Sequence, residues 1–181
     1  MVDSLKERKA VKIKQSPDEF KKLAGEIASD YAVKHHGCSQ AVLAAFMEMF
    51  GISDEYLLAA SSAFAGGSTR CLTCGAVSGG LMVLSLKYGR RRLQDGFENL
   101  EASIALGGTL IDRFLAEYGT TNCCELTGFD LRDSAKAQAF IDSKEAHEKC
   151  NQRIEKTAIW VAEIILETDA GIAKGGQRDV G

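Results

Sequence analysis

The residues with the greatest chemical reach in this chain are its six cysteines, Cys38, Cys71, Cys74, Cys123, Cys124 and Cys150. Thiolate is the form of cysteine that binds soft metal ions and attacks disulfides, so a set of thiols points first to a metal or redox site. Cys71-Leu72-Thr73-Cys74 is a C-x-x-C, a pattern shared by redox dithiols, halves of metal sites and c-type haem attachment. Haem attachment needs a His directly after the second Cys, and Gly75 stands there. A zinc ribbon needs a second C-x-x-C, which the chain lacks. A thioredoxin-like dithiol belongs to a βαβ unit, and no alternating strand pattern runs anywhere in this sequence. What is left is an irregular set of thiols brought in from distant segments.

The elements that must bring them together read as helices. Ser16-Pro17-Asp18-Glu19 offers a capping serine, a proline suited to the first helical position, and acids at the positive end of the dipole. Phe20, Leu23, Ile27 and Tyr31 then mark one helical face, which ends at His35-His36-Gly37. Cys38 opens a second helix with Val42, Ala45, Phe46 and Met49 as its core face and Gly51 as its close, and Asp54 caps a third through about Ala63. Gly66-Gly67-Ser68-Thr69 reads as a flexible loop. The uncharged stretch from Cys71 to Leu86 is too short to span a bilayer. It predicts a buried central helix from about Gly75 to Tyr88, in which Gly75, Gly79 and Gly80 leave room for a neighbouring backbone or a cofactor. Phe97 to Tyr118 predicts a long amphipathic helix stopped by Gly119, and a short helical turn starts near Cys123. Asp133 caps a helix to about Ile141, and residues 144–167 form the last one. The single proline, Pro17, permits uninterrupted helices beyond it. The fold class predicted is all-α, a single-domain bundle of about six or seven helices over residues 16–168. A flexible, basic arm over residues 1–15 and a disordered, glycine-rich tail over 169–181 are expected to flank it.

Lys and Arg number 22 and Asp and Glu 25, a net charge of −3. That balance does not suit a nucleic-acid binder, and no run of about 20 apolar residues exists to span a membrane. No Ser–His–Asp arrangement, P-loop or dinucleotide fingerprint is present, so hydrolase and nucleotide-binding readings lack support. The cysteines are too few for a disulfide scaffold. The charged first residues lack the apolar stretch of a secretory signal, so a reducing, cytoplasmic setting is expected.

Cys38, Cys74 and Cys123 fall where helix N-termini are predicted, and the free N–H groups and dipole there favour thiolate. Cys74-Gly75-Ala76-Val77-Ser78-Gly79 also matches a C-G-A-x-x-G signature. Upstream stands Cys38, in Gly37-Cys38-Ser39-Gln40-Ala41-Val42-Leu43. Leu81-Met82-Val83-Leu84 and Lys87-Tyr88-Gly89 follow the signature, with Cys123-x-Glu125-Leu126-Thr127-Gly128 and Cys150 downstream. With these motifs the chain, over about residues 20–166, resembles the redox-active proteins named for the C_GCAxxG_C_C pattern. The resemblance implies a cytoplasmic, helical redox protein whose four family cysteines are Cys38, Cys74, Cys123 and Cys150, with Cys71 and Cys124 as additions. The related domain of split-Soret cytochromes carries an iron–sulfur centre, which makes such a cluster an option here, without haem.

The expectation is therefore a small redox protein in which Cys38, Cys74, Cys123 and Cys150 converge. They would hold an iron–sulfur cluster or act as exchanging thiols in electron transfer. A non-enzymatic helical module with a structural zinc site, or with inert buried thiols, is the alternative. Gly75 and Gly79 share a helix face and are expected to border the bound group. Cys74 heads the least charged helix and is expected to be the most reactive or most firmly held thiol, the dipole outweighing burial. Cys71 is its expected resolving partner if the chemistry is thiol exchange. His147 shares a helix face with Cys150, but its charged neighbours favour a surface position. His35 and His36 suit a helix end, and Lys87 with Arg90, Arg91 and Arg92 suits the C-terminus of the central helix. The partners expected are a redox protein and, as an option, a second copy of the chain. No nucleotide is expected.

Overall fold

In the computed structural model, which describes residues 15–175, capping chemistry starts and stops the helices. Ser16 Oγ accepts from the Glu19 N–H, and Pro17 takes the first position of α1 (Pro17–His35). Gly37 and Gly51, both in the left-handed region, bracket α2 (Cys38–Phe50). The Asp54 carboxylate accepts from the N–H groups of Tyr56 and Leu57 at the head of α3 (Glu55–Ala60). The central α4 (Gly75–Tyr88) and the long α5 (Phe97–Tyr118) follow. Asn122 caps the short α6 (Cys123–Thr127), Asp133 caps α7 (Ser134–Asp142), and α8 (Lys144–Gly175) comes last. The described residues hold no strand, and their one isolated β-bridge pairs Thr73 with Asn122.

Apolar faces decide the packing. α1 lies against α8 and α2, while α4 sits between α2 on one side and α5 and α8 on the other. Phe20, Val42, Phe46, Val77, Leu84, Leu110, Phe114, Val161 and Ile165 form the buried centre. Phe20 and Phe46 meet edge to face, as do Phe114 and Trp160. Helix α4 approaches its neighbours closely because two adjacent positions lack a side chain. A Cβ on Gly79 would lie 2.5 Å from the Ser39 carbonyl oxygen of α2, and one on Gly80 would lie 2.6 Å from Leu110 of α5. No helix among the described residues is long and apolar enough to cross a membrane.

The all-α expectation holds, with differences in detail. The described residues contain eight helices rather than about six or seven, counting the five-residue turn α6 as one of them. α3 stops at Ala60 and is followed by a 3₁₀ turn, Ser62–Phe64, instead of running on to Ala63. Residues 66–69, expected as a flexible loop, all have positive φ and belong to a left-handed turn in which the Leu72 N–H donates to Gly67 O at 2.8 Å. α8 extends through Gly175, past the expected boundary at residue 168. The cause is anchorage. Asp169 accepts from Tyr88 Oη at 2.8 Å and pairs with the buried Lys87 ammonium at 3.1 Å, and Ile172 packs on the core. Lys87 thus ties α4 to α8. Residues 1–14 of the expected arm and 176–181 of the expected tail lie outside the described residues.

Candidate functional site

Four elements each deliver one cysteine to a single cavity of about 650 Å³. Cys38 is the first residue of α2, Cys74 the N-cap of α4, Cys123 the first residue of α6, and Cys150 lies in the second turn of α8. All four are free thiols; Cys74 and Cys123 are buried and the other two half-buried. Val33, Leu126, Leu131, Phe140 and Ile154 give the cavity apolar walls, while His36, His147 and Arg153 supply polar groups. The His36 and His147 rings stand 5.8 Å apart, and His147 meets Phe140 edge to face.

A short antiparallel pairing sorts the cysteines into two sets. The Cys74 N–H donates to Thr121 O at 2.7 Å and the Cys123 N–H donates to Leu72 O at 2.7 Å, on either side of the Thr73–Asn122 bridge. Residues that alternate along such a pairing point to opposite sides. Cys74 and Cys123 face the cavity, whereas Cys71 and Cys124 are absent from its lining and are joined to each other, with Cα atoms 5.0 Å apart. Asn122 Oδ1 accepts from the N–H groups of Cys124 and Glu125, so the same residue that makes the bridge also starts α6.

Burial dominates the charge state of these thiols. It pushes Cys74 up to about 12, and the neighbouring Cys38 adds to the rise. The N–H groups of Ala76 and Val77 pull the other way and do not prevail. Burial likewise pushes Cys123 up to about 12, followed by Cys38 and Cys150, against the Arg153 guanidinium. Cys150 is raised by burial and lowered in part by Arg153, whose Nη1 lies 3.9 Å from its sulfur. The helix-end donors expected to make Cys74 the most reactive thiol are present, but removal from water outweighs them. At neutral pH the metal-free Cys74 is a protonated and poorly nucleophilic thiol.

Other expectations change as well. Cys71 is the partner of Cys124, not the resolving partner of Cys74. Gly75 and Gly79 are absent from the cavity lining, and both let α2 approach α4, with Gly75 directly beside Cys38 Sγ. A Cβ on Gly75 would collide with Cys38 Sγ, and one on Gly79 would meet the α2 backbone at Ser39. His147 is half-buried on the cavity wall instead of lying on the open surface. Arg153 was not foreseen. It donates to Leu126 O at 2.7 Å and lies 5.7 Å from the Tyr118 ring centroid, which holds its charge beside Cys150. Its place three residues after Cys150, on the same helix face, was the available signal.

Among the described residues, one group of three Cys, His, Asp or Glu donor atoms lies mutually within 4.8 Å: Cys71, Cys124 and Asp130. No three of the cavity cysteines meet that spacing. The fold and site together define a class, an all-α protein organised around a cysteine-lined cavity. The chain belongs to the family described as "Putative redox-active protein (C_GCAxxG_C_C)", which it matches over residues 36–164. The resemblance carried by the cysteine motifs is borne out. No curated protein and no solved structure matches the chain.

Proposed function

We propose that this chain holds an iron–sulfur cluster on Cys38, Cys74, Cys123 and Cys150 and serves as an electron-transfer protein of the cytoplasm, exchanging electrons with a partner protein. The observation that carries the reading is the delivery of four free thiols, from four separate elements, to one cavity. Four cysteines are the donor set of common iron–sulfur clusters. The four sulfurs are not drawn in as closely as a lone zinc ion requires. A tetrahedral zinc with Zn–S bonds of about 2.3 Å holds its sulfurs roughly 3.8 Å apart, and no three of these cysteines lie within 4.8 Å of one another.

When bound, such a cluster supplies one-electron transfer at a potential set by burial, net charge and hydrogen bonds to sulfur. The chain's own residues govern those quantities. Apolar walls at Val33, Leu126, Leu131 and Phe140 limit water at the site. The Ala76 and Val77 N–H groups favour negative charge on Cys74, and Arg153 favours it on Cys150. The protonated thiols give up their protons when a bound cation compensates the charge, so loading releases protons.

The test is analysis of the full chain, purified without oxygen, for iron, acid-labile sulfide and zinc. Iron and sulfide in matching amounts are expected, and both should be lost in Cys38→Ser. Zinc without sulfide, or the absence of bound metal, would overturn the reading.

A further inference from the structure

The cavity leaves one pair of sulfurs unused. Cys71 and Cys124 are joined across a sequence separation of 53 residues. Cys71 is buried, while Cys124 is half-buried. The Leu131 N–H approaches Cys124 Sγ at 3.4 Å, and Asp130 Oδ1 lies 3.5 Å from Cys71 Sγ. Asp130 is itself fixed by Arg132, through contacts of 2.8 and 2.9 Å from the guanidinium.

The bond sits at the end of the antiparallel pairing that places Cys74 and Cys123. Apart from it, the two segments are held by the Cys74 and Cys123 backbone hydrogen bonds at the Thr73–Asn122 bridge. The turn leading into it is strained. Ser68, Thr69 and Cys71 have φ of 54°, 61° and 62°, in the left-handed region that non-glycine residues rarely adopt. Four other cysteines of the same chain are free. In surroundings that keep thiols free, a disulfide is commonly a transient, redox-sensing or catalytic one.

We propose that Cys71 and Cys124 form a reversible dithiol/disulfide site, separate from the cavity thiols, whose bond pins the register in which Cys74 and Cys123 face the cavity. Its reaction partner is a dithiol reductant. One thiolate of the reductant attacks Cys124 Sγ, the more accessible sulfur. The Cys71–Cys124 bond breaks, and Cys71 leaves as a thiolate that takes up a proton. The second thiol of the reductant then displaces Cys124 from the mixed disulfide. Two electrons and two protons end on the protein thiols, and the reductant becomes a disulfide. Reduction frees the strained turn and leaves the pairing dependent on its backbone hydrogen bonds. The proposal concerns this pair and does not require a metal on the cavity cysteines.

The experiment uses the full chain as purified, equilibrated over a series of reduced-to-oxidised dithiothreitol ratios. It is quenched by alkylation and mapped by peptide mass. Cys71 and Cys124 are expected to pass together from a linked peptide to two alkylated thiols while the protein stays folded. Absence of the linked peptide at every ratio would overturn the proposal. So would a bond that survives excess reductant in the folded protein. Amide hydrogen exchange at Cys74 and Cys123 supplies the second readout, expected to quicken by about tenfold or more on reduction, as an opened local structure requires. Unchanged exchange would refute the pinning. A reductant response that persists in Cys124→Ser would assign the effect to the cavity thiols and refute it equally. Both readouts are independent of iron and sulfide content, so this proposal and the cluster reading fail separately.

Discussion

The sharpest test of how the site is built is a single methyl group at Gly79. In an open helix, Gly→Ala stabilises by about 1 kcal/mol through propensity alone. At Gly79 the new Cβ would lie 2.5 Å from Ser39 O, 3.1 Å from Ser39 Cα and 3.1 Å from Val42 Cβ. Carbon–oxygen contacts settle near 3.3–3.6 Å, so α2 and α4 must part by roughly 1 Å, and two of the three obstructing atoms are backbone that cannot rotate away. A gap of about 0.5–1 Å costs a quarter to a half of each contact along the seam, and overpacking of this kind typically costs about 1–3 kcal/mol. Against the propensity gain, the net loss is about 0–2 kcal/mol. For a chain of this size that corresponds to a fall in Tm of up to about 8 °C. Gly108 of α5 is the control: a Cβ there meets nothing within 4 Å, so Gly108→Ala should raise Tm by about 2–4 °C. Thermal and urea unfolding of the two variants decide the matter. A Gly79→Ala protein stabilised as much as Gly108→Ala would refute the close-approach argument. Gly79→Leu should be more damaging still. Because α2 begins with Cys38 and α4 is capped by Cys74, the proposed cluster reading adds that Gly79→Ala should lower the iron and sulfide content.

Three further outcomes are expected. Cys74 and Cys123 are raised from 9.0 to about 12 when the protein is folded and metal-free, so the native state holds their protons more tightly than the unfolded state. Their contribution is fully present below about pH 9 and is lost as pH rises from 9 towards 12, at up to about 1.4 kcal/mol per pH unit for each thiol; urea midpoints across that window should fall, and flat midpoints would contradict the assignment. Asn122→Ala removes the cap of α6 and should cost about 1 kcal/mol, with faster amide exchange at Cys124 and Glu125 as the local signature. Arg153→Met removes the charge that lowers Cys150, so in metal-free protein the pH midpoint for alkylation of Cys150 should move upward, and an unmoved midpoint would show that the guanidinium does not act on that sulfur.

The helix ends were legible because they depend on local chemistry. Ser16 with Pro17, Gly51, Asp54, Gly119 and Asp133 all act within a turn of their own position. The last helix was cut short because its continuation depends on Asp169 meeting Lys87 and Tyr88, a contact between residues about 80 positions apart that no local pattern announces. The cysteines show the same division. Cys38, Cys74, Cys123 and Cys150 were picked out in order by motif, and three were placed at helix starts, because flanking residues carry that information. The pairing of Cys71 with Cys124 was not legible, since it follows from the register in which two segments meet. The charge state of Cys74 was misjudged for a related reason. The dipole and the Ala76 and Val77 donors can be read from the local sequence, whereas the degree of burial belongs to the assembled fold.

The register also explains how neighbouring thiols take different roles. Cys123 and Cys124 are adjacent, and Cys71 and Cys74 are three apart, so all four come within reach of one another when the two segments pair. Undirected, such a group could form several disulfides. The Thr73–Asn122 bridge restricts the outcome: the Cys74 and Cys123 N–H groups bond across it, their side chains turn to the cavity, and Cys71 meets Cys124 beyond it. A slip of one residue would exchange the sides of the pairing and carry Cys124 towards the cavity in place of Cys123. Cys123 is pressed against Gly67, where a Cβ would lie only 2.6 Å from Cys123 Cβ, so the turn that begins there fits closely over that residue. The pairing and its turn thus keep two thiols free for the cavity, while the additional pair bonds outside it.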